Sequence, residues 1–499
     1  MEEIITESPS DSLKRIIRDG YLSKIMVILT TGPFLISFAL KLGANLFLIG
    51  LLAAIPPLAN LIQIPTVLLV EKIRNRRKIT VISLFFYRIC LLTVGFIPIF
   101  FPTELRLLFL ILFLILQSIF ASIGHTAWAF WMHDIIPQKK LGSFYSRRML
   151  LSTIMGMIVS ILAGYFLDFW ELNFYDIELY AFSILFFIAF FFGMLSIYLI
   201  SKIFEPKMVV IEEKLNFSRM LSEPFMDKNY RNLLIFLFLW NFTANLTVPF
   251  FTIYMLSKLN LDLFYVVVFI AISQITNLVF LKLWGNLSDK YSNKSVLGIS
   301  CPLFLICILA WVFTSLPDSY FLTLPILFLI HICYGISIAG ITLAISNINM
   351  KLSPKGKANW YLAITTVVTS IALGISPIIG GILADFFKYS EFSWSLNWTS
   401  QNGTVSFQIL NLQGIDFFFI IAFFIGLLSI HRLSLIAEEG EVNNKIILSQ
   451  LILEIRKNMK ILYHLGKPQE PIIIPLSIFL SKLKRNLKKK KKINKISEI

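Results

Sequence analysis

The chain has 499 residues, of which 57% are hydrophobic and only 15% charged, with a mean hydropathy of +0.77 and a formal net charge of +16. An ordinary soluble domain is roughly half apolar and a quarter charged, so this composition excludes a water-soluble globule and indicates a membrane protein. Its cysteines, Cys90, Cys301, Cys307 and Cys333, all fall in apolar runs, where a thiol behaves as a small hydrophobe, and no disulfide framework is implied.

The opening segment 1–24 is too polar for a cleaved secretory signal and is expected to stay on the mature chain as a cytoplasmic segment. From Ile25 the apolar spans fall near 25–40, 44–70, 79–101, 104–132, 148–170 and 179–204. A polar loop, 205–232, separates them from a second set near 233–256, 260–284, 295–316, 319–350, 359–385 and 415–437. About 20 residues cross a hydrocarbon core of about 30 Å, so the pattern predicts about twelve transmembrane helices in an all-α membrane protein. The expected divisions are an amino-terminal bundle over 25–204, a carboxy-terminal bundle over 233–437 and a tail over 438–499.

Lysines and arginines near the span ends set the orientation. One side collects Lys72, Arg74, Arg76, Arg77 and Lys78, then Lys139, Lys140, Arg147 and Arg148, and later Lys290, Lys294, Lys351, Lys355 and Lys357. The other shows little beyond Lys41, Arg106, Lys258 and Lys388. Both termini are therefore expected in the cytoplasm, in a multi-pass protein of the cell membrane. The net charge is then a topology signal plus a basic tail, and gives no support to nucleic-acid binding.

The two sets of spans repeat. "KLGANLFLIGLLAAIPPLANLIQ" from Lys41 lies over "KLNLDLFYVVVFIAISQITNLVF" from Lys258 without a gap, pairing Lys41 with Lys258, Phe47 with Phe264 and Asn60 with Asn277. The same shift of 217 residues carries Pro137 onto Pro354, Gly164 onto Gly381 and Asp168 onto Asp385. Polar, Gly and Pro identities at one constant shift indicate a duplication. Because each half has an even number of spans, the repeats are parallel, related by an axis along the membrane normal.

With this organisation the chain resembles the major facilitator superfamily over about residues 20–437. The resemblance is carried further by "GNLSDKYSNK", which fits that family's loop between the second and third helix of a half through Gly285, Leu287, Asp289, Lys290, Asn293 and Lys294, with Ser292 in place of a second glycine. It implies a cytoplasmic gate, in which Gly285 permits close helix approach and Asp289 faces the amino end of a neighbouring helix in one state. A plain tight turn is the alternative. The first-half copy, "LLVEKIRNRRK", keeps Glu71, Lys72, Asn75 and Arg76 only after a one-residue slip and lacks the glycine. The junction "HDIIPQKKLGSFYSRR", with Asp134, Pro137, Gly142, Arg147 and Arg148, is similar to another family loop, or is a capped helix end followed by positive charge.

The same resemblance turns the first and fourth helices of each half towards a central cavity. They offer Thr30 and Thr31; Gln117, His125 and Trp128; Trp240, Asn241 and Asn245; and His331 and Tyr334. No carboxylate is among them, which disfavours a cation exporter or carboxylate relay, and His125 or His331 is the better site for any coupled proton. Arg88 is the deepest formal charge, and its residue type allows an anion contact or a structural pairing. The resemblance puts the third helix at the periphery, favouring structure.

There is no phosphate-cradling loop, metal-spaced cysteine or histidine cluster, or readable nucleophile triad, so neither an ATP-driven pump nor an enzyme is expected, and no cofactor or metal is required. In the tail, Leu448, Leu451, Ile452, Ile455, Met459 and Leu462 fall at helical spacing, and Lys488 to Lys492 suit anionic lipid. A long polar and aromatic loop near 387–413 carries sequons at Asn397 and Asn402. The expected function is secondary transport of a small solute by alternating access, in a monomer. A transporter-derived receptor or lipid-handling protein is the alternative.

Overall fold

The computed structural model describes residues 9–136, 141–206, 217–315, 321–354, 357–400, 403–443 and 445–454. Among them, twelve helices are long and apolar enough to cross a membrane: α1 (Asp11–Lys41), α2 (Leu46–Ile73), α3 (Arg76–Gly95), α4 (Thr103–Met132), α5 (Arg147–Asn173), α6 (Tyr175–Ser201), α7 (Lys228–Lys258), α8 (Leu263–Lys290), α9 (Asn293–Thr314), α10 (Thr323–Leu352), α11 (Trp360–Phe387) and α12 (Ile415–Ser434). Their ends follow local chemistry. Asn45, Asn75, Asp227 and Ser292 each accept a hydrogen bond from a backbone N–H of the turn that follows, opening α2, α3, α7 and α9. α1 breaks at Gly32, whose φ of 59° suits glycine, and restarts at Pro33. Its regular helix begins at Pro9, well before the expected span edge near Ile25, because Asp19 and its neighbours find polar partners inside the bundle.

The duplication is visible in the packing. In the first half α1 packs on α5 and α6, α3 on α4 and α6, and α2 along α4; in the second, α7 packs on α11 and α12, α9 on α10 and α12, and α8 along α10. Between the halves, α2 meets α11 and α5 meets α8, two contacts that a two-fold rotation exchanges. α2 and α11 touch backbone to backbone. A Cβ on Gly50 would lie 2.1 Å from the Pro377 oxygen, and one on Gly381 would lie 2.7 Å from the Leu46 oxygen. Glycine is required at both places.

Between α11 and α12 stands an antiparallel hairpin, β1 (Glu391–Ser400) and β2 (Gly403–Gln413), where the sequence predicted only a loop. The signal was present as a period of two. Phe392, Trp394, Leu396 and Trp398 alternate with Ser393, Ser395, Asn397 and Thr399, and the register sets the four apolar residues opposite Leu412, Leu410, Phe407 and Val405. Asn397 is exposed, whereas Asn402 lies outside the described residues. The chain divides into two units, Met1–Glu441 and Val442–Ile499. In the second unit a helix covers 445–454, and Ile455, Met459, Leu462 and Lys488 to Lys492 lie outside the described residues.

Candidate functional site: a cavity between the halves and its closures

At the end of the bundle that bears the hairpin, two aspartates bridge the halves. Asp168, near the end of α5, accepts from the backbone N–H of Leu263 at 3.2 Å and of Phe264 at 2.8 Å, the first residues of α8. Asp385, near the end of α11, accepts from the N–H of Phe47 at 2.9 Å, in the first turn of α2. The first N–H groups of a helix have no partner within it and carry the positive end of its dipole, so a carboxylate from the opposite half is well matched there. Each donor set is complementary to the local cap: Asn45 of α2 takes Leu48 N, leaving Phe47 N for Asp385, whereas Asp262 makes no side-chain cap, leaving both first donors of α8 for Asp168. These clamps were missed as functional residues in the sequence, although Asp168, Asp385, Phe47 and Phe264 all belong to the 217-residue correspondence.

Within the clamps lies a cavity of about 620 Å³ bounded by both halves. The first half supplies Lys24 and Ile36 of α1, Ile49, Leu52 and Ala53 of α2, and Met149 and Thr153 of α5. The second supplies Phe251 and Thr252 of α7, Ser273, Gln274 and Asn277 of α8, Trp311 of α9, and His331 and Tyr334 of α10. The second-half wall is rigidly aromatic. Phe251 and Trp311 stack with centroids 4.7 Å apart, and Tyr334 stands edge-on to Phe251 at 6.2 Å. His331 lies on Phe269 at 5.1 Å, and its Nδ1 is 2.8 Å from the Leu327 carbonyl oxygen, which fixes the ring. Among the described residues of the lining, Lys24 is the one lysine or arginine and no carboxylate is present.

Of the residues expected at this cavity, His331 and Tyr334 line it. Thr30 and Thr31 instead bond back to Met26 O and Val27 O, and Asn241 and Asn245 to Leu237 O and Asn241 O, each satisfied by its own helix. Trp240 is buried against Phe236 and Phe304, and Gln117 is buried in α4. Trp128 lies under the Arg148 guanidinium at 4.9 Å, and His125 is exposed outside the lining set. The reason is rotational: each helix turns only part of its circumference inward, and sequence alone does not fix which part. The polar stripe of α8, at Ser273, Gln274 and Asn277, and Lys24 were both missed. The helical spacing of the α8 residues, and the repeat match at Asn277, were the available signals.

Arg88 is fully buried. It donates to Gly193 O at 3.2 Å, Leu84 O at 3.0 Å and Ser196 Oγ at 3.4 Å, and does not line the cavity. Ser196 in turn donates to Asp19, which also receives Ser23 and Arg148.

At the end of the bundle opposite the hairpin, each half carries its own carboxylate cap. Glu205, just after α6, accepts from the N–H groups of Arg76 at 2.6 Å and Arg77 at 3.2 Å. Glu438, after α12, accepts from Lys294 N at 2.7 Å, Asn293 Nδ2 at 2.8 Å and Lys351 Nζ at 3.0 Å. Arg76 is buried, bonded to Asp134, to Phe130 O at 3.3 Å and to Pro206 O at 2.9 Å. Lys294 also pairs with Glu441 at 2.8 Å. Leu287 is buried, Lys290 lies over its neighbour Tyr291, and Glu71 and Lys72 are exposed. Asp289 is exposed, without a hydrogen bond to any described residue. Gly285 departs from the expected close approach: a Cβ there would sit 3.7 Å from Leu343 Cδ1, an ordinary contact. Pro137 lies outside the described residues.

Residues 20–377 match the family model of the Major Facilitator Superfamily. Similar solved structures include the nucleoside transporter NupG, 14% identical with a TM-score of 0.59, covering 87% of this chain and 100% of that one. A D-xylose-proton symporter is 12% identical with a TM-score of 0.61, covering 87% of this chain and 99% of that one. A structure described for substrate recognition in proton dependent oligopeptide transporters is 11% identical, with a TM-score of 0.61 over 86% of this chain and 99% of that one. At these identities the likeness is one of fold. No curated protein matches the chain in sequence.

Proposed function

The chain belongs to the Major Facilitator Superfamily and is a secondary active transporter of a small solute, and on that premise we propose that the cavity between its halves is the solute site and that the described conformation opens it to the cytoplasm. The observation that carries this reading is the pair of aspartate clamps. Asp168 on α8 and Asp385 on α2 bind the halves at the hairpin end, where Gly50 and Gly381 also bring α2 and α11 into backbone contact. The other portion of α2 packs within its own half, with Val70 against Ala127 and Ile123 of α4. Rocking about the cavity would part the clamps and bring together the ends now apart, exposing the solute to the other side.

The basic residues at the ends away from the hairpin support a cytoplasmic location for that side, in a cell membrane, and hence for both termini. Lys488 to Lys492 add an attraction to anionic lipid by charge alone, and the protein acts as a monomer. The test is side-specific labelling of a Ser273→Cys variant carrying Cys333→Ser, with a membrane-impermeant maleimide. Labelling in inside-out vesicles and protection in right-side-out ones is expected. Labelling confined to right-side-out vesicles would overturn the assignment.

A further inference from the structure

We propose that the solute is a small organic anion, an apolar body carrying one negative group, and that Lys24 of α1 receives its charge. This rests on the reading of the cavity as the solute site.

Lys24 follows the polar opening of α1 and is half-buried on the cavity wall. A lysine partly removed from water in this way is normally paired. Other cations that the helices enclose are paired. Arg88 bonds two carbonyl oxygens and Ser196, Arg148 meets Asp19 at 3.2 Å, and Lys258 meets the wholly buried Asp416. Lys24 alone among these makes no hydrogen bond or ion pair with a described residue. The nearest carboxylate along α1, Asp19, is already occupied by Ser23, Ser196 and Arg148. Among the described residues, the cavity wall supplies no acid.

The side chain is nonetheless positioned. A Cβ on Gly156 of α5 would lie 3.3 Å from Lys24 Cγ and 3.4 Å from its Cε, so the missing side chain at 156 leaves a track for the lysine stem. Thr153 and Met149, one and two turns before Gly156 on α5, line the cavity with Lys24. Across the cavity are Thr252, Ser273, Gln274, Asn277 and His331, beside the aromatic wall of Phe251, Trp311 and Tyr334. A cationic or zwitterionic solute would lack a carboxylate to meet its ammonium. A neutral solute would leave Lys24 desolvated without a counter-charge. An anion resolves both, with its apolar part against the aromatic wall and its remaining acceptors on α8.

The test measures binding to the purified full-length chain of three carboxylates and their neutral amides: benzoate and benzamide, phenylacetate and phenylacetamide, hexanoate and hexanamide. At least one carboxylate should bind ten-fold or more tighter than its amide. Lys24→Gln should abolish that preference, Lys24→Arg should keep it within a few-fold, and Ala53→Trp, which fills the cavity from α2, should abolish carboxylate binding. Without ligand, Lys24→Gln should melt no lower than the parent, because it removes an unpaired charge; a lower midpoint would mark Lys24 as structural and overturn the inference. A preference that survives Lys24→Gln, equal binding of acid and amide, or no carboxylate binding also overturns it. Carboxylate binding lost in Lys24→Gln but kept in a folded Ala53→Trp would instead overturn the cavity reading.

Discussion

Lys41 and Lys258 hold the same place in the two halves, at the end of the first helix of each, and their surroundings differ sharply. Lys258 meets Asp416, which is wholly buried and also receives the Tyr254 hydroxyl at 3.1 Å and the N–H of Gln413 at 2.9 Å. Lys41 meets Glu171 and Glu178 at 2.5 and 2.6 Å, both partly open to solvent. The duplication kept the cation; burial decides what it does. The same holds at the cavity, where Lys24 of the first half corresponds to Asn241 of the second, which is satisfied by its own helix. At the clamps, by contrast, Asp168 and Asp385 do the same work in both halves. The repeats agree where the halves lock together and diverge where a solute would be read.

The largest effect should come from breaking the buried member of the lysine pair. Lys258→Met strands Asp416 without its counter-charge, and removing one partner of a buried pair costs about 3–5 kcal/mol. Lys41→Met removes two partly exposed pairs, each worth about 0–1 kcal/mol. Thermal unfolding of the two purified variants should separate them clearly. Similar midpoints would mean that burial at Asp416 does not set the difference.

Next in size is the clamp pair. Losing a side-chain cap to alanine costs about 1 kcal/mol, so Asp168→Ala with Asp385→Ala should shift the balance of states by about 2 kcal/mol, or about thirty-fold. Spin labels at Asn45 and Lys388 would report the longer distance. Each single variant should give roughly half the shift; an effect confined to one aspartate would break the equivalence of the two clamps.

A smaller shift is expected at the opposite end. Asp289 has no hydrogen-bond partner among the described residues, so Asp289→Asn should leave this state intact while weakening the other, in which the residue meets a helix amino end. That contact is worth about 0.3–1 kcal/mol, or up to about five-fold in population. Glu71→Gln should do less, since the first-half copy fits only after a one-residue slip and lacks the glycine. Cysteine accessibility at Ser273 would report both, and equal responses would make Asp289 part of a bare turn.

The span count and the parallel duplication were legible in the sequence because hydropathy and repeat spacing are one-dimensional signals. Helix rotation is not, which is why Trp240, Asn241 and Asn245 were expected at the cavity while Gln274 and Asn277 were not. Lys24 was hidden for another reason. It sits where the polar opening meets the first apolar run, so hydropathy assigned it to water, whereas the helix actually runs from Pro9 and carries it into the cavity. The hairpin was masked by its setting among long apolar runs, although its alternation is regular.

Arg88 offers the smallest expected effect, because the second half shows what the fold accepts there. Counting on by 217 residues, Arg88 falls on Leu305, and both side chains pack over a glycine of the sixth helix of their half. A Cβ would lie 2.9 Å from Arg88 Cγ at Gly193, and 2.3 Å from Leu305 Cδ2 at Gly426. Gly426 follows Gly193 by 233 residues, as Ser429 follows Ser196, the offset having grown across the hairpin. Two of the three acceptors of Arg88 are backbone carbonyls inside helices, and Asp19 keeps Ser23, Ser196 and Arg148 without it. Replacing the arginine by the repeat's own residue trades a buried charge for an apolar side chain of proven fit, an exchange that is often close to neutral. Arg88→Leu should therefore change stability by no more than about 1 kcal/mol and leave carboxylate binding unaltered. A loss of binding at unchanged stability would place Arg88 with Lys24 in reading the solute, and would move the divergence between the halves from the cavity wall into the core of α3.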